Sequence, residues 1–528
     1  MHIDLRIPGI LLKLKKNVGR KNTFGNAPQS AQYSQANYTQ KNGNGTQTNI
    51  VDLTPWLGEH GAVKVTNSVR SGAGIFTFML ADKIVESVWD SIYTIIEPMD
   101  SIEISMAANA FKYPTPNDMP IMMRGFVSKV SRHEGMGADG KPHRSVTVSG
   151  HNYGKLLQML QVYNLPADPG TSSSAAVTSF PFFTKFGFNA QLMTATGFLQ
   201  TVFSKLVNPY IASMSENPDG TPNQSSPLIA MGLDLQTNGE QVSLDGVGTW
   251  DQGTIHSLIS KYCDIGTWRE FFVEDRIEGP YAVYRPKPYV DASQAVAAGV
   301  FIMNGVTAPT ITTISKKSVV SMTSERSDDN VANYFWVTAP RYSETDGNLA
   351  QETSYLSAQS ANNNTVYVTD YGNVNPLLYG TRKMEAETQM AGSDEVLNGN
   401  GLNNPPGGNP NAPSYTQSQT SQLGWINSMR TAMIDLNRDN VVFESGEMSL
   451  KGNENILAGT YVQVMDGGLA PSYYAHTVSH EYEAYGNYFT QVEFERGTGF
   501  IDRTSISQAN ISPYWAEMVQ GKKTSGGV

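Results

Sequence analysis

Apolar and polar residues alternate with a period of two in two separate parts of the chain. The first part holds five such segments, at 62–69, 74–80, 100–106, 124–130 and 144–149. The second part holds four more, at 443–450, 459–464, 474–480 and 488–494. Alternation of this kind is typical of antiparallel strands with one buried face. The pattern therefore predicts two β-rich modules, each a sandwich or a small barrel.

Between these parts the apolar residues change to helical spacing. The segments 153–160 and 196–207 look helical and are separated by Pro-, Ser- and Gly-rich loops such as 166–174. A short amphipathic helix at 253–262 precedes a hairpin at 268–285, which turns near Gly279-Pro280. Farther on, we expect extended segments between 314 and 338, a turn at 327–330 and a helix at 424–437.

Two stretches are too polar to form a core. Residues 22–49 carry one charge, Lys41, and 392–421 are rich in Asn, Gly, Pro and Ser. Such compositions bury little apolar surface. We interpret the first stretch as an arm that orders against a partner or as a simple flexible loop, and the second as a flexible loop.

Together these patterns predict a mainly β chain of the α+β class, with two tube-like antiparallel β-barrel modules and an inserted, partly helical domain. A length of 528 residues allows several cores. The expected divisions are a first module at 1–150 with its polar arm at 17–49, an inserted α/irregular domain at 151–250, a small α/β domain at 251–315, a second module at 316–500 with the loop 392–421, and a C-terminal tail at 501–528.

Charge narrows the range of ligands. The net charge is −11, whereas a protein that grips nucleic acid normally carries a basic excess. A negative surface is compatible with DNA that slides past without sticking, because like charges repel. The single cysteine, Cys263, excludes an intrachain disulfide and a thiolate metal cluster, and its setting indicates a buried small apolar residue.

Nothing in the sequence predicts a membrane anchor or a secretion signal. No apolar run approaches the roughly 18 residues of a membrane-spanning helix. In the segment 1–16, Asp4, Arg6 and Pro8 interrupt the apolar stretch, and its lysines follow that stretch instead of preceding it. We therefore expect synthesis and assembly in a host cytoplasm.

The motifs that suggest chemistry have simpler explanations. The run 135–140 fits G-x-G-x-x-G, but Lys141-Pro142 and a strand follow it where a nucleotide site needs a helix. His476 and His480, with Glu481 beside them, lie in a predicted strand, where four residues span about 13 Å. A glycosidase needs a pair of carboxylates, but a chain of this length contains pairs such as Asp328/Asp329 and Glu385/Glu387 by chance. We predict no catalytic, cofactor-binding or metal-binding residues, and hence no enzyme.

The two β-rich parts resemble each other weakly. In the first, 100–104 leads to Lys129-Val-Ser-Arg-His-Glu134 and then to 145–150. In the second, 459–464 leads to Thr477-Val-Ser-His-Glu481 and then to 490–497. Both copies are predicted to be a strand followed by a long hairpin. Duplication and chance similarity of short β segments both account for this.

The order of these segments resembles the baseplate hub family of contractile-tailed phages, including the late control protein D type. The resemblance covers roughly 50–160 and 250–500, and three groups of residues carry it: 120–130 with 144–154, 325–334, and 457–462 with 473–480 and 494–497. The arm 22–49 and the insertion 151–250 do not map onto the family.

This resemblance implies a structural role in a virion tail. Three subunits would form a ring whose six modules join a sixfold tail tube to a threefold central spike, with a lumen for DNA. The implied partners are further copies of the chain, the tail tube protein, the central spike protein and baseplate wedge proteins, with the tape measure protein as a further candidate. The sequence does not distinguish a contractile from a non-contractile tail.

Two other functions stay open. A tail-tip cell-wall hydrolase would need two carboxylates in a cleft, one of them with a raised pKa. A receptor-binding or glycan-binding tail protein would expose aromatic residues on a β face. No sequence feature favours the hydrolase, and the absence of fibre-like repeats disfavours the glycan-binding protein.

Overall fold

The computed structural model describes most of the predicted β regions and part of the material between them. The described residues are 7–15, 40–41, 47–48, 50–58, 61–82, 91–94, 96–136, 142–162, 193–214, 228–236, 241–242, 253–288, 309–338, 371–388, 390–391, 426, 428–484 and 487–505. The loops 166–174 and 392–421, most of the arm 22–49 and the tail beyond 505 lie outside them.

Strands dominate the described residues. In the first half of the chain they are β1 (Gly9–Lys15), β2 (Gln40–Lys41), β3 (Gln47–Thr48), β4 (Ile50–Asp52), β5 (Ala62–Ser68), β6 (Ile75–Ala81), β7 (Ser101–Ala107), β8 (Ile121–Met136), β9 (Pro142–Asn152), β10 (Gln161–Val162), β11 (Met193–Thr194), β12 (Gly232–Leu235), β13 (Gln241–Val242) and β14 (Gly253–Thr254). In the second half they are β15 (Arg269–Asp275), β16 (Pro280–Pro286), β17 (Ile311–Ser315), β18 (Val319–Glu325), β19 (Tyr334–Thr338), β20 (Lys383–Glu387), β21 (Met390–Ala391), β22 (Glu444–Lys451), β23 (Thr460–Met465), β24 (Ser472–Glu483) and β25 (Tyr488–Gly497).

Helices are short and lie mostly where helical spacing predicts them. They are α1 (Gly154–Met159), α2 (Ala195–Val202), α3 (Asn208–Met214), α4 (Ile255–Tyr262), α5 (Pro376–Tyr379), α6 (428–437) and α7 (Gly499–Ser505), with a π turn between α2 and α3. The oxygen of Thr194 caps α2 and that of Thr254 caps α4. None of the described helices is long and apolar enough to cross a membrane. The mainly β, α+β class is confirmed.

One large sheet of 13 strands contains both predicted modules. Its path runs β18-β22-β25-β24-β5-β6-β9-β8-β7-β1-β4, and β23 and β17 branch from β24. No pairing among the described residues closes this sheet on itself. The small α/β region adds a separate sheet in which the predicted hairpin β15–β16 also pairs with β12.

The sheet consists of two units with the same strand order. We call β1, β5, β6, β7, β8 and β9 unit 1, and β17, β18, β22, β23, β24 and β25 unit 2. Taken in chain order, the strands of each unit occupy the same places across the sheet: sixth, first, second, fifth, fourth and third. A short helix follows each unit, α1 after β9 and α7 after β25.

Matching rows of cross-strand partners align the two units residue by residue. The row in unit 1 crosses β5, β6, β9 and β8 through Val63, Phe78, Val148 and Val130. The row in unit 2 crosses β18, β22, β25 and β24 through Met322, Met448, Val492 and Val478. Val130 and Val478 are the valines of the Val-Ser pairs that the sequence repeat aligned.

Two local irregularities recur at matching positions. The β8–β9 ladder has a bulge between Val127 and Lys129, and the β24–β25 ladder has one between Ala475 and Thr477. Ahead of β7, Met99 has a φ of 74° and donates its N–H to the oxygen of Val127, 2.8 Å away. Ahead of β23, Gly459 has a φ of 80° and donates to Ala475 at 2.8 Å. Chance similarity of short strands does not reproduce a bulge and a left-handed residue, so these features favour duplication.

The units differ in one pairing. β1 runs antiparallel to β7, whereas β17 runs parallel to β23. Unit 1 also gains an outer strand, β4, beside β1. The other parallel pairs among the described residues are β12–β16 and β19–β20.

The β15–β16 hairpin packs between two cores. Alternate residues of a strand point to opposite faces. Phe271 and Tyr284 accordingly lie in a cluster with Phe126 of unit 1 and the helices α1, α2 and α4. Phe272 and Val283 lie in the core of unit 2. A separate core lines unit 1, and Trp268 and α6 build another with β19.

Candidate assembly interface

Units 1 and 2 meet along one antiparallel pairing. The C-terminal half of β24 pairs with all of β5, from Thr477 opposite Ser68 to Glu483 opposite Ala62. The hydroxyl oxygens of Thr66 and Ser479 lie 2.8 Å apart, and Lys64 Nζ lies 3.8 Å from Glu481 Oε2. We call this pairing the junction. It joins two equivalent units through backbone hydrogen bonds and short polar side chains.

Two exposed edges correspond to the two sides of the junction. β18 is the unit 2 counterpart of β5, and among the described residues it pairs with β22 on one side alone. Val320 in this strand is 57% exposed. β8 is the counterpart of β24, and beyond Val127 its described backbone pairing is to β9 alone. Edges of this kind offer backbone donors and acceptors to a further strand.

A buried polar cluster fixes the hairpin to unit 2. The Arg285 guanidinium donates to Glu270 Oε2 at 3.1 Å and to the oxygen of Gly459 at 2.7 Å. The hydroxyl of Tyr474 donates to the same Glu270 carboxylate at 2.7 Å. Burial, with Glu270 alongside, raises the pKa of Tyr474 well above its usual value, so the phenol stays protonated. A satisfied cluster of this kind fixes a unique geometry.

A second cluster fixes the hairpin to unit 1. The Arg124 N–H donates to Asp275 Oδ2 at 2.9 Å, and its guanidinium donates to the backbone oxygens of Arg276 and Ile277. Glu103 lies 3.4 Å from Arg124 Nε. Burial raises the pKa of Asp275 to about 6, despite the backbone hydrogen bond from Arg124 and its charge. The hairpin is thus clamped to both units by polar contacts of different composition.

His480 is a structural residue of the junction strand. Its Nε2–H donates to the oxygen of Ile456 at 3.0 Å, because a carbonyl can only accept, and its Nδ1 faces the Tyr488 hydroxyl at 2.8 Å. Burial lowers the pKa of His480 to about 4, which keeps the ring neutral. His476 lies in the same strand, as predicted, with its Nδ1 2.9 Å from Thr477 Oγ1. The described residues contain no group of three or more metal-ligating side chains.

The other sequence motifs lie apart from one another. Gly135 and Met136 end β8, and Met136 pairs with Pro142, so a hairpin connects β8 and β9 as expected; residues 137–141 lie outside the described part. Asp328 and Asp329 lie in the predicted turn, where Arg382 donates to Asp328. Glu385 pairs with Lys383 on β20 at 2.7 Å. Cys263 is buried behind α4.

One polar cleft contains a carboxylate that a hydrolase could use. It has a volume of about 270 Å³ and is lined by residues that include Arg70, Lys287, Glu444 and Glu495. Burial raises the pKa of Glu495, but Arg496, Lys287 and Arg70 outweigh it, so the net pKa is lowered. A general acid needs the opposite shift. This cleft therefore does not favour glycoside hydrolysis.

Sequence reasoning missed the residues that hold the units together. Tyr474 lies 204 residues from Glu270 in the chain, and none of Glu270, Arg285 and Tyr474 belongs to a recognisable motif. One signal was present: Arg285 is the one charged residue in the strand segment Pro280–Pro286. A buried charge requires a hydrogen-bonding or ion-pair partner, but its position in the sequence does not identify that partner.

Solved structures of phage tail proteins and related proteins are among the structural neighbours of the chain. The 43 kDa tail protein of prophage MuSo2 from Shewanella oneidensis is 9% identical, with 92% of this chain and 97% of that chain covered and a TM-score of 0.41. A tail protein from Neisseria meningitidis MC58 is 10% identical, with 87% and 96% covered and a TM-score of 0.39. An E. coli component of the type VI secretion system is 8% identical, with 83% and 73% covered and a TM-score of 0.34.

No protein-family model matches the sequence, and no curated protein sequence matches it.

Proposed function

We propose that the chain is a structural subunit of a phage tail, the hub of its baseplate. The observation that carries this proposal is the pair of equivalent six-stranded units in one continuous sheet. A sheet that repeats its own unit and ends in uncovered edges is suited to extension by further copies, because each unit offers what the next one needs. Such an arrangement suits a ring better than it suits a catalytic cleft.

The duplication supplies a reason for three copies. Two units per chain become six in a trimer, so a ring of three chains presents approximate sixfold symmetry to one neighbour and true threefold symmetry to another. A tail tube of six subunits per ring and a trimeric spike would be the two neighbours. Wedge proteins and the tape measure protein are further proposed contacts.

The charge of the chain is compatible with a DNA conduit. A net charge of −11 repels the phosphate backbone, so DNA in a lumen would pass without specific binding. We propose that the protein acts in the virion tail after assembly in the host cytoplasm. We also propose that it has no catalytic activity, because the described charged clusters hold the units together and the pKa of Glu495 in the cleft is lowered.

Immunogold electron microscopy of particles from the source tests this proposal. Antibody raised against the purified chain should label the tail end distal to the capsid. Label elsewhere, or no label on any tail, would contradict the proposal. Peptidoglycan hydrolysis by the purified chain would favour the hydrolase instead, and tight binding to host surface glycans would favour a receptor-binding protein.

A further inference from the structure

We propose that β18 of one copy pairs with the distal half of β8, residues 129–136, of a second copy, in the register of the junction. This inference rests on the proposed function, because it specifies how subunits of the ring would join. The partner that pairs with each exposed edge, β18 or the distal half of β8, is another copy of this chain. The argument comes from the equivalence of the two units within one chain.

The chain already contains one complete example of this contact. Within a copy, β5 of unit 1 covers the distal half of β24 of unit 2. The counterparts of these two segments are β18 and the distal half of β8, and each pairs on one side alone among the described residues. A head-to-tail repeat of the junction between copies would therefore cover both edges at once. Contacts that repeat head to tail form closed rings when the rotation allows it.

The aligned rows of partners fix the register. Met322 occupies the place of Val63, so Glu325 occupies the place of Thr66. Val478 occupies the place of Val130, so Ser131 occupies the place of Ser479. Thr66 pairs with Ser479 in the junction. Glu325 of one copy should therefore lie opposite Ser131 of the next.

Charge on the two edges agrees with this register. The diagonal neighbours of a cross-strand pair lie two residues along the partner strand on the same face, about 7–8 Å away. For Glu325 these neighbours are Lys129 and His133, and all three side chains are exposed. A slip of one residue would turn Glu325 to the opposite face. The derived register thus places the one carboxylate of the edge strand between two basic side chains.

Cysteine cross-linking of the full-length chain tests the pairing. The variant S131C/E325C should form disulfides between chains under mild oxidation, seen as multimers on a non-reducing gel. The variant S131C/S324C is the matched control, because its second cysteine points to the opposite face. The variant T66C/S479C calibrates the geometry: its side chains already meet within one chain, so it should lose two free thiols without forming multimers. Cys263 is buried and contributes little background.

The outcomes separate this inference from the proposed function. Multimers from S131C/E325C in excess of the S131C/S324C control support the pairing. An oligomer seen by light scattering without such cross-links overturns the pairing and leaves the hub proposal standing. A chain that stays monomeric and uncross-linked at high concentration, while T66C/S479C shows the correct fold, counts against both.

A charge exchange gives an independent check. E325K should weaken oligomerisation by roughly two- to five-fold, since the attraction between Glu325 and its diagonal neighbour Lys129 becomes repulsion. The double variant E325K/K129E should recover most of that loss. Equal weakening by E325K in the K129E and wild-type backgrounds would overturn the register.

Discussion

Units 1 and 2 share their strand order but differ in whether the long hairpin is covered. In unit 2, β5 covers the distal half of β24, and His480 there is buried. The matching residue in unit 1 is Arg132, in the uncovered half of β8, where it pairs with Asp82 at 3.0 Å and is partly exposed. A histidine bonded within the protein thus occupies the covered copy, and an arginine occupies the open one. The two units therefore share their backbone pairing, whereas their side chains differ according to whether a neighbouring strand covers the edge of the long hairpin.

The residues ahead of β7 and β23 differ between the units in the same way, at a single backbone position. Met99 and Gly459 both have left-handed φ values and make matching hydrogen bonds. A Cβ at Gly459 would lie 2.8 Å from Arg285 Nη2, whereas Met99 packs against the core beside unit 1. In unit 2 the Arg285 guanidinium occupies the space beside Gly459, so a side chain does not fit there, whereas in unit 1 the corresponding space holds the side chain of Met99.

The largest expected effect on stability comes from the clamp to unit 2, by which we mean the buried cluster of Glu270, Arg285 and Tyr474. Glu270→Ala removes the acceptor of both Arg285 and Tyr474, so a buried cation loses its partner. We expect the free energy of unfolding to fall by about 3–5 kcal/mol, measured by denaturant titration. The double variant E270L/R285M should cost less, because no unpaired charge remains. An equal or larger loss in the double variant would contradict this account of the clamp.

Acid should selectively weaken unit 2 through His480. Its folded pKa of about 4 lies below the ordinary 6.5, so the folded state favours the neutral ring. The corresponding stability is complete above pH 6.5 and is lost as the pH falls towards 4, a change of about 3 kcal/mol. Unfolding of wild-type protein and H480Q at pH 7 and pH 4 measures it.

H480Q should show a smaller fall in stability between these two pH values than the wild type. Identical pH dependence in H480Q and wild type would contradict burial as the cause of the lowered pKa.

A substitution at Gly459 should cost less than loss of the clamp. Gly459→Ala places a side chain at a φ of 80° and against Arg285, Phe272 and Val69. We expect a loss of about 1–3 kcal/mol, of which the left-handed backbone accounts for about 1–2 kcal/mol. Gly467→Ala is the matched control, because Gly467 has a φ of 64° with open space around it. If both variants lose the same stability, the contacts around Gly459 contribute nothing.

The smallest expected effect is on the ion pair of the junction. Lys64 and Glu481 have side chains 47% and 31% exposed, so water screens their attraction. A double-mutant cycle with K64A and E481A should give a coupling of about 0–1 kcal/mol. A coupling above about 2 kcal/mol would mean that charge, and not backbone pairing, holds the junction together.

Local pattern sufficed for much of the fold. Alternation located β5, β6 and β9, and helical spacing located α1, α2 and α4, because each element shows its buried face in a few adjacent residues. The Val-Ser match between β8 and β24 was visible for the same reason. The predicted domain boundaries and ring remain predictions.

Long-range pairing could not be read from the sequence. The junction brings Thr66 to Ser479 across most of the chain, and the sequence of neither strand identifies the other strand as its partner. The parallel pairing of β17 with β23 could not be predicted either, because the alternation of apolar and polar residues in a strand is the same in both directions. Asp275 showed no signal either, since its raised pKa depends on burial by distant residues.

Electron microscopy of the purified full-length chain at high concentration tests the central claim most directly, that the two equivalent units build a ring. We predict closed rings of three chains with a central opening and six similar lobes from units 1 and 2. Single chains at every concentration, absent also from the tails of the source particle, would contradict it.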